Sequence, residues 1–144
     1  MKKFEMPAPL WKRGLAYIID MIIVNVFIIS PFNPIFKGVR FTNIKDIYSI
    51  SNPNLFLALV IISILTILYF TILEYKLRQT LGKSLLNISV ISLNKKLTFS
   101  QTLLRNLTKP FVILLIIDTF YIIVSKDQRY LEKISKTKVI QEIK

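Results

Sequence analysis

Two carboxylates, Asp20 and Asp118, are the residues best placed to do chemistry, because each lies inside a long apolar stretch. Near the centre of a membrane helix a charged carboxylate costs at least about 2.5 kcal/mol. Such a group normally faces a cationic partner, a water-filled cavity or a bound ion. The placement therefore favours the binding of an ion or a proton by Asp20 and Asp118.

Arg13 offers a structural alternative to this role. It precedes Asp20 by seven residues, so on a helix the two side chains share a face and lie about 10 Å apart along the axis. Tyr17 lies between them on the same face. Arg13 is thus a candidate charge partner, and both carboxylates would then be paired with basic residues and serve only helix packing. Both interpretations stay open at this point.

The chain contains no Cys and no His. Their absence excludes disulfides and thiolate metal sites, and it removes the commonest general base and metal ligand. Gly82-Lys83-Ser84 ends like a phosphate-binding loop, but that motif needs a Gly five residues earlier, where this chain has Leu77. We therefore predict a protein that is not an enzyme, with no cofactor and no metal site.

The composition is typical of a membrane protein. Of 144 residues, 53% are hydrophobic, and 20 Lys+Arg against 8 Asp+Glu give a net charge of +12. The basic residues flank apolar segments, where they match anionic lipid headgroups, so we expect no nucleic-acid partner. The clearest segment, Leu55–Leu73, is free of charge and about 28 Å long as a helix, close to the hydrocarbon thickness.

These patterns predict one α-helical membrane domain over residues 1–144. Pro31 and Pro34 should end the first helix. Phe111–Val124 is too short to cross unaided, so the third segment is predicted to be kinked at Pro110 or re-entrant. The predicted parts are a first transmembrane helix at about 10–30, an external loop at 31–53, a second transmembrane helix at about 54–73, a cytoplasmic hairpin region at 74–100, a third membrane segment at about 102–124 and a basic C-terminal tail at 125–144.

The distribution of basic residues predicts the orientation. Four lie in the N-terminal flank, three in the first loop and seven between Lys76 and Lys109. The positive-inside rule then places the N-terminus in the cytoplasm and the loop around Asn43 outside. The tail carries six more basic residues, which favours a cytoplasmic tail over a third segment that crosses fully.

The spacing of apolar residues changes from helical to strand-like after the second helix. Leu86–Leu93 is rich in Ile and Val, and Leu97–Phe99 can return antiparallel to it, which predicts a small β-hairpin. Ser100 is the predicted N-cap of the helix that follows. Thr137–Ile140 is either a third strand beside this hairpin or part of an extended tail on the membrane.

Short motifs along nearly the whole chain resemble the RDD family of membrane proteins, named for one arginine and two aspartates. They are Arg13-Gly-Leu-Ala16 followed by Asp20, Gln79-Thr-Leu-Gly-Lys-Ser84, Leu104-Arg105-Asn106, and Gln128-Arg129 followed by Thr137 and Val139. The family-motif residues by this resemblance are Arg13, Asp20, Thr80, Gly82, Lys83, Arg105, Arg129, Glu132 and Thr137.

The chain departs from the family pattern at two positions. Glu132 stands where Asp is usual, and Lys136 stands where Gly is usual. The second family aspartate therefore corresponds either to Glu132 or to Asp118.

The resemblance implies an integral membrane protein, and transport has been proposed for the family, including sodium–proton exchange for some members. We expect a multi-pass protein of the cell membrane that forms homo-oligomers, because two or three helices cannot enclose a pathway. One hypothesis is a small transporter or ion-translocating component that uses intramembrane carboxylates. The alternative is an accessory or structural membrane protein that docks a protein partner through its hairpin and basic tail.

Overall fold

The computed structural model describes residues 5–37, 53–94, 96–125 and 128–142. Most of the predicted external loop, including Asn43, lies outside the described residues.

The first helical run is longer than expected. Helix α1 (Leu10–Val24) continues through a π-helical turn (Asn25–Ile29) and a 3₁₀ turn (Ser30–Phe32) into α2 (Asn33–Phe36). The prediction that Pro31 and Pro34 end this helix is wrong. Each proline occupies the first turn of a short helical segment, where its missing N–H costs no hydrogen bond.

Helix α3 (Pro53–Leu77) is the second long apolar helix. The runs Leu10–Phe36 and Pro53–Leu77 are both long and apolar enough to cross a membrane, which confirms the two predicted spans in length and composition. Helix α3 extends four residues beyond the predicted end at about residue 73, and this extension brings Glu74 into the helix.

Four shorter helices follow: α4 (Leu81–Leu85), α5 (Phe99–Asn106), α6 (Val112–Ser125) and α7 (Tyr130–Ile134). Helices α5 and α6 are separated by a turn that contains Pro110, so the third segment is interrupted where a kink was predicted. With 14 residues, α6 is about 21 Å long, shorter than the hydrocarbon core.

The N-cap of α5 is Thr98, and the predicted cap, Ser100, lies inside the helix. The Thr98 hydroxyl accepts the Gln101 N–H at 3.4 Å, and the Gln101 side chain accepts the Thr98 N–H at 3.1 Å. This reciprocal capping box satisfies two donors, whereas a start at Ser100 would satisfy neither.

Strands β1 (Glu5–Pro7), β2 (Ile88–Ser92) and β3 (Thr137–Glu142) form an antiparallel sheet in the order β1-β3-β2. The predicted small antiparallel strand pair exists, but the predicted return strand is wrong: Leu97 and Thr98 are irregular and Phe99 begins α5. Strand β2 pairs instead with β3, which offers a longer ladder. The late strand is therefore the centre of the sheet.

The sheet collects three distant parts of the chain at one end of the long helices. It joins the segment before α1, the segment after α4 and the segment after α7. A small apolar core of Ala8, Ala16, Ile88, Val90 and Val139 packs it against α1. The two ends of the described chain therefore lie side by side.

Candidate functional site

Glu74 is the centre of a buried ionic cluster near the end of α3. Its side chain is fully buried, and its Oε1 contacts Nζ of Lys83 and lies 3.6 Å from Nζ of Lys109. Its Oε2 lies 3.1 Å from Nε of Arg105 and accepts an N–H of Asn106 at 2.8 Å. One carboxylate thus ties α4, α5 and the turn after α5 to α3.

Glu132 of α7 is the centre of a second cluster that shares Arg105 with the first. Its Oε1 lies 3.3 Å from Nη2 of Arg105, and its Oε2 lies 3.2 Å from Nη1 of Arg13. The main-chain N–H of Arg129 also donates to Oε2 at 3.3 Å. We call the connected set Arg13, Glu74, Lys83, Arg105, Lys109 and Glu132 the ion network.

The ion network also holds the sheet in place. Nη2 of Arg13 donates to the Val139 carbonyl at 3.2 Å, and Nη1 of Arg105 donates to the Thr137 hydroxyl at 3.3 Å. Both acceptors belong to β3, so the central strand is fixed to α1 and α5. These contacts bring together residues that lie more than a hundred positions apart in the chain.

Four basic and two acidic side chains make up the ion network, a formal excess of two positive charges. Burial by itself would raise the pKa of Glu132, but the neighbouring Arg105, Arg129 and Arg13 outweigh it and hold the pKa below its ordinary value. Burial lowers the pKa of Lys83, and the Glu74 carboxylate opposes that change. Both glutamates are therefore held as anions by cations on other helices.

Asp20 lies outside this network. It is 1% exposed, and its hydrogen bonds come from neutral groups. The Thr80 hydroxyl donates to its Oδ2 at 2.5 Å, while the Gly82 N–H and the Tyr69 hydroxyl donate to its Oδ1 at 2.8 and 3.2 Å. Within the part of the chain that the structure describes, no Lys or Arg nitrogen forms an ion pair with this carboxylate.

The candidate pairing of Arg13 with Asp20, one of the two interpretations left open by the sequence, is absent from the structure: Arg13 pairs with Glu132. The two partners of Arg13 come from the C-terminal segment, and those of Asp20 come from α3 and α4. Arg13 and Asp20 share a helical face, but each binds different partners from distant parts of the chain.

Gly82 permits the contact that Asp20 makes with α4. A Cβ at this position would lie 2.2 Å from the Ala16 carbonyl oxygen and 3.0 Å from the Asp20 side chain. Only a residue without a side chain lets the start of α4 approach α1 so closely. The α4 side of the Asp20 site is thus formed by the main chain at Gly82.

Asp118 is buried on α6 and serves a different neighbour. Its Oδ1 accepts the Leu131 N–H in the first turn of α7 at 2.9 Å, and its Oδ2 has no hydrogen-bond partner among the described residues. Asp118 therefore holds the start of α7, and through α7 it supports Glu132.

The structure brings nearly all the sequence-predicted site residues into one region. Arg13, Lys83, Arg105 and Glu132 join the ion network, while Thr80 and Gly82 hold Asp20. The sequence pattern did not indicate Glu74, Lys109 or Tyr69 as site residues. Glu74 directly follows the charge-free run of α3, and this position was the only local signal that it could be buried.

The fold combines two apolar helices long enough to cross a membrane with a small sheet at one end of them. The model of the RDD family matches residues 7–132, most of the chain. The chain belongs to the RDD family, a family of membrane proteins. Comparison with curated proteins and with solved structures found no match.

Proposed function

We propose that this RDD-family protein translocates a small cation, a proton or Na⁺, and that Asp20 is the exchanging group. The observation that carries the proposal is the contrast among buried carboxylates. Glu74 and Glu132 are neutralised by cations, and Asp118 accepts one main-chain N–H that ties it to α7. Asp20 instead accepts three hydrogen bonds from neutral donors inside a long apolar helix. A bound proton or cation would remove the cost of this uncompensated charge.

The groups around Asp20 suit either ion. The hydroxyls of Thr80 and Tyr69 donate to the carboxylate, and a hydroxyl that turns presents its oxygen instead. One carboxylate and two hydroxyls would then offer Na⁺ the hard oxygen ligands that such cations prefer. If a proton binds instead, it sits on the carboxylate while the Gly82 N–H still donates to the other oxygen.

Flux in proteoliposomes tests this proposal. The parent protein should exchange Na⁺ for protons across the vesicle membrane, and Asp20→Asn should abolish the flux while its elution profile and thermal stability stay close to those of the parent. Asp118→Asn is the matched control, because it neutralises a second buried carboxylate that contacts α7 and should keep the flux. Equal loss of flux in both variants, or full flux in Asp20→Asn, would contradict the role of Asp20.

We further propose a topology with a cytoplasmic N-terminus, an external loop around Asn43 and a cytoplasmic tail. The pairing of β1 with β3 supports it, since it requires both segments on one side. The short helix α6 faces the first two turns of α1 and returns to the sheet through α7, as a re-entrant segment would.

Single introduced cysteines test the topology, because the chain has none of its own. In intact cells an impermeant thiol reagent should label Asn43→Cys and leave Lys138→Cys unlabelled until the cells are opened. Labelling of Lys138→Cys from outside would show that α6 crosses the membrane.

Two crossing helices cannot enclose a pathway, so the proposal includes a homo-oligomer. The mass of the purified protein in detergent, with the detergent subtracted, should be a multiple of the mass of one chain. A monomer that retains full flux would contradict this part of the proposal.

A further inference from the structure

A mostly apolar cleft of about 420 Å³ lies between α1 and α6. Gly14 and Tyr17 line it on α1, and Leu115, Thr119 and Phe120 line it on α6. Its volume is within the range of small-molecule sites. Gly14 widens the cleft, because a Cβ there would meet no atom within 4 Å.

Two arginines line the same cleft. Arg13 already pairs with Glu132, whereas the Arg129 guanidinium is in no ion pair with the described residues. The Nε atoms of Arg13 and Arg129 are both buried without a hydrogen-bond partner. The cleft is thus apolar along its length and cationic at the place where these arginines meet it.

The ion network behind Arg13 adds to this imbalance. By formal charge it has two more basic than acidic side chains, and Arg129 adds a third. An anion at Arg129 would therefore balance positive charge that exceeds the charge of the two glutamates in this region. The ligand that matches the cleft has an anionic head and a hydrocarbon chain.

We infer that the cleft binds one anionic phospholipid, with its phosphate against Arg129 and an acyl chain between α1 and α6. This site is separate from Asp20 and goes beyond the proposed translocation. A lipid there would cover the apolar side chains of α6 and screen the excess positive charge of the ion network. It would also brace α6, which is too short to span the membrane alone.

The test uses the full chain in vesicles of equal parts phosphatidylglycerol and phosphatidylcholine, followed by native mass spectrometry of the lipid retained per chain. The parent should retain phosphatidylglycerol in preference. Arg129→Gln should lower this preference about fivefold, the effect expected for one arginine beside an anionic lipid. Lys12→Gln is the matched control, since Lys12 lies over the Trp11 ring, does not line the cleft, and should leave the preference unchanged.

Two further variants test the binding of the lipid headgroup and of the acyl chain separately. Arg129→Lys keeps the cation and should keep the preference, so an equal loss in Arg129→Lys and Arg129→Gln would point to misfolding and overturn the inference. Gly14→Leu fills the cleft without meeting a neighbouring atom at its Cβ and should lower retention of the lipid whatever its headgroup. Unchanged retention in Gly14→Leu, no preference in the parent, or a loss in Lys12→Gln equal to that in Arg129→Gln would each overturn the inference.

Discussion

Replacing Glu74 with Gln should destabilise the protein more than any other single loss of charge. The substitution keeps the size of the side chain but removes the negative charge that Lys83, Arg105 and Lys109 share. Removing one partner of a buried ion pair costs about 3–5 kcal/mol. Because three cations lose their counter-charge at once, we expect the upper part of this range or more, a drop in Tm on the order of 10 °C.

Thermal unfolding in detergent measures this effect, followed by intrinsic fluorescence and by loss of the monodisperse elution peak. Lys76→Gln, an exposed change of one charge on the same helix, is the control and should shift stability by less than about 0.5 kcal/mol. Adding Lys83→Met to Glu74→Gln removes one stranded cation and should recover part of the loss. If Glu74→Gln lies within about 1 kcal/mol of the parent, Glu74 is not the electrostatic centre of the fold.

Three further predictions concern the contacts of α1 and α7. Gly82→Ala should destabilise the protein by about 3 kcal/mol or more, because its Cβ would overlap a main-chain oxygen of α1. Gly14→Ala should be neutral or stabilising, and equal Tm values for the two variants would contradict this prediction. Adding Arg13→Gln to Asp20→Asn should lower the Tm below that of Asp20→Asn, because it removes the Arg13 partner of Glu132, and a double mutant at least as stable as Asp20→Asn would instead indicate an Arg13–Asp20 pair. Folding lowers the pKa of Glu132, so the ionised carboxylate stabilises the fold above its unfolded pKa of about 4.3, and this stability is lost as the pH falls through the lower folded pKa. The Tm of Glu132→Gln should therefore fall less than the Tm of the parent between pH 5 and pH 3, and parallel Tm curves would refute this.

The local sequence pattern was sufficient to predict the two long apolar helices and to single out Asp20 as a carboxylate inside one of them. A charge-free run such as Leu55–Leu73 has one stable placement, and a single carboxylate inside a similar run is conspicuous. The same local pattern gave no indication that Glu74 is buried. It comes directly after such a run, where charges usually meet water, and only the return of Lys83, Arg105 and Lys109 from later in the chain buries it.

The sheet shows where local pattern is insufficient. Leu97–Phe99 is close to β2 in sequence and apolar, so a hairpin was the natural expectation. Thr98 instead caps α5, and the partner of β2 lies about 45 residues further along the chain. Such a pairing depends on the ion network that fixes β3 to α1 and α5, which no short window of sequence contains.

Lys136 connects the departure from the family pattern with the backbone. The resemblance placed Lys136 where the family usually has Gly, and the structure gives this residue a φ of 51° in the turn before β3. This left-handed conformation favours Gly, since a side chain there costs about 1–2 kcal/mol. A Gly at this position would avoid that conformational cost, which the sequence alone did not show.

Infrared difference spectroscopy of Asp20 tests the central claim most directly. Spectra of the purified protein are recorded with and without Na⁺ and at two pH values, for the parent and for Asp20→Asn. If Asp20 is the exchanging group, the parent should show a carboxyl band that changes with Na⁺ or with pH, and this band should be missing from Asp20→Asn. The same ion-dependent difference in both proteins would show that Asp20 binds no exchangeable cation and would contradict the account.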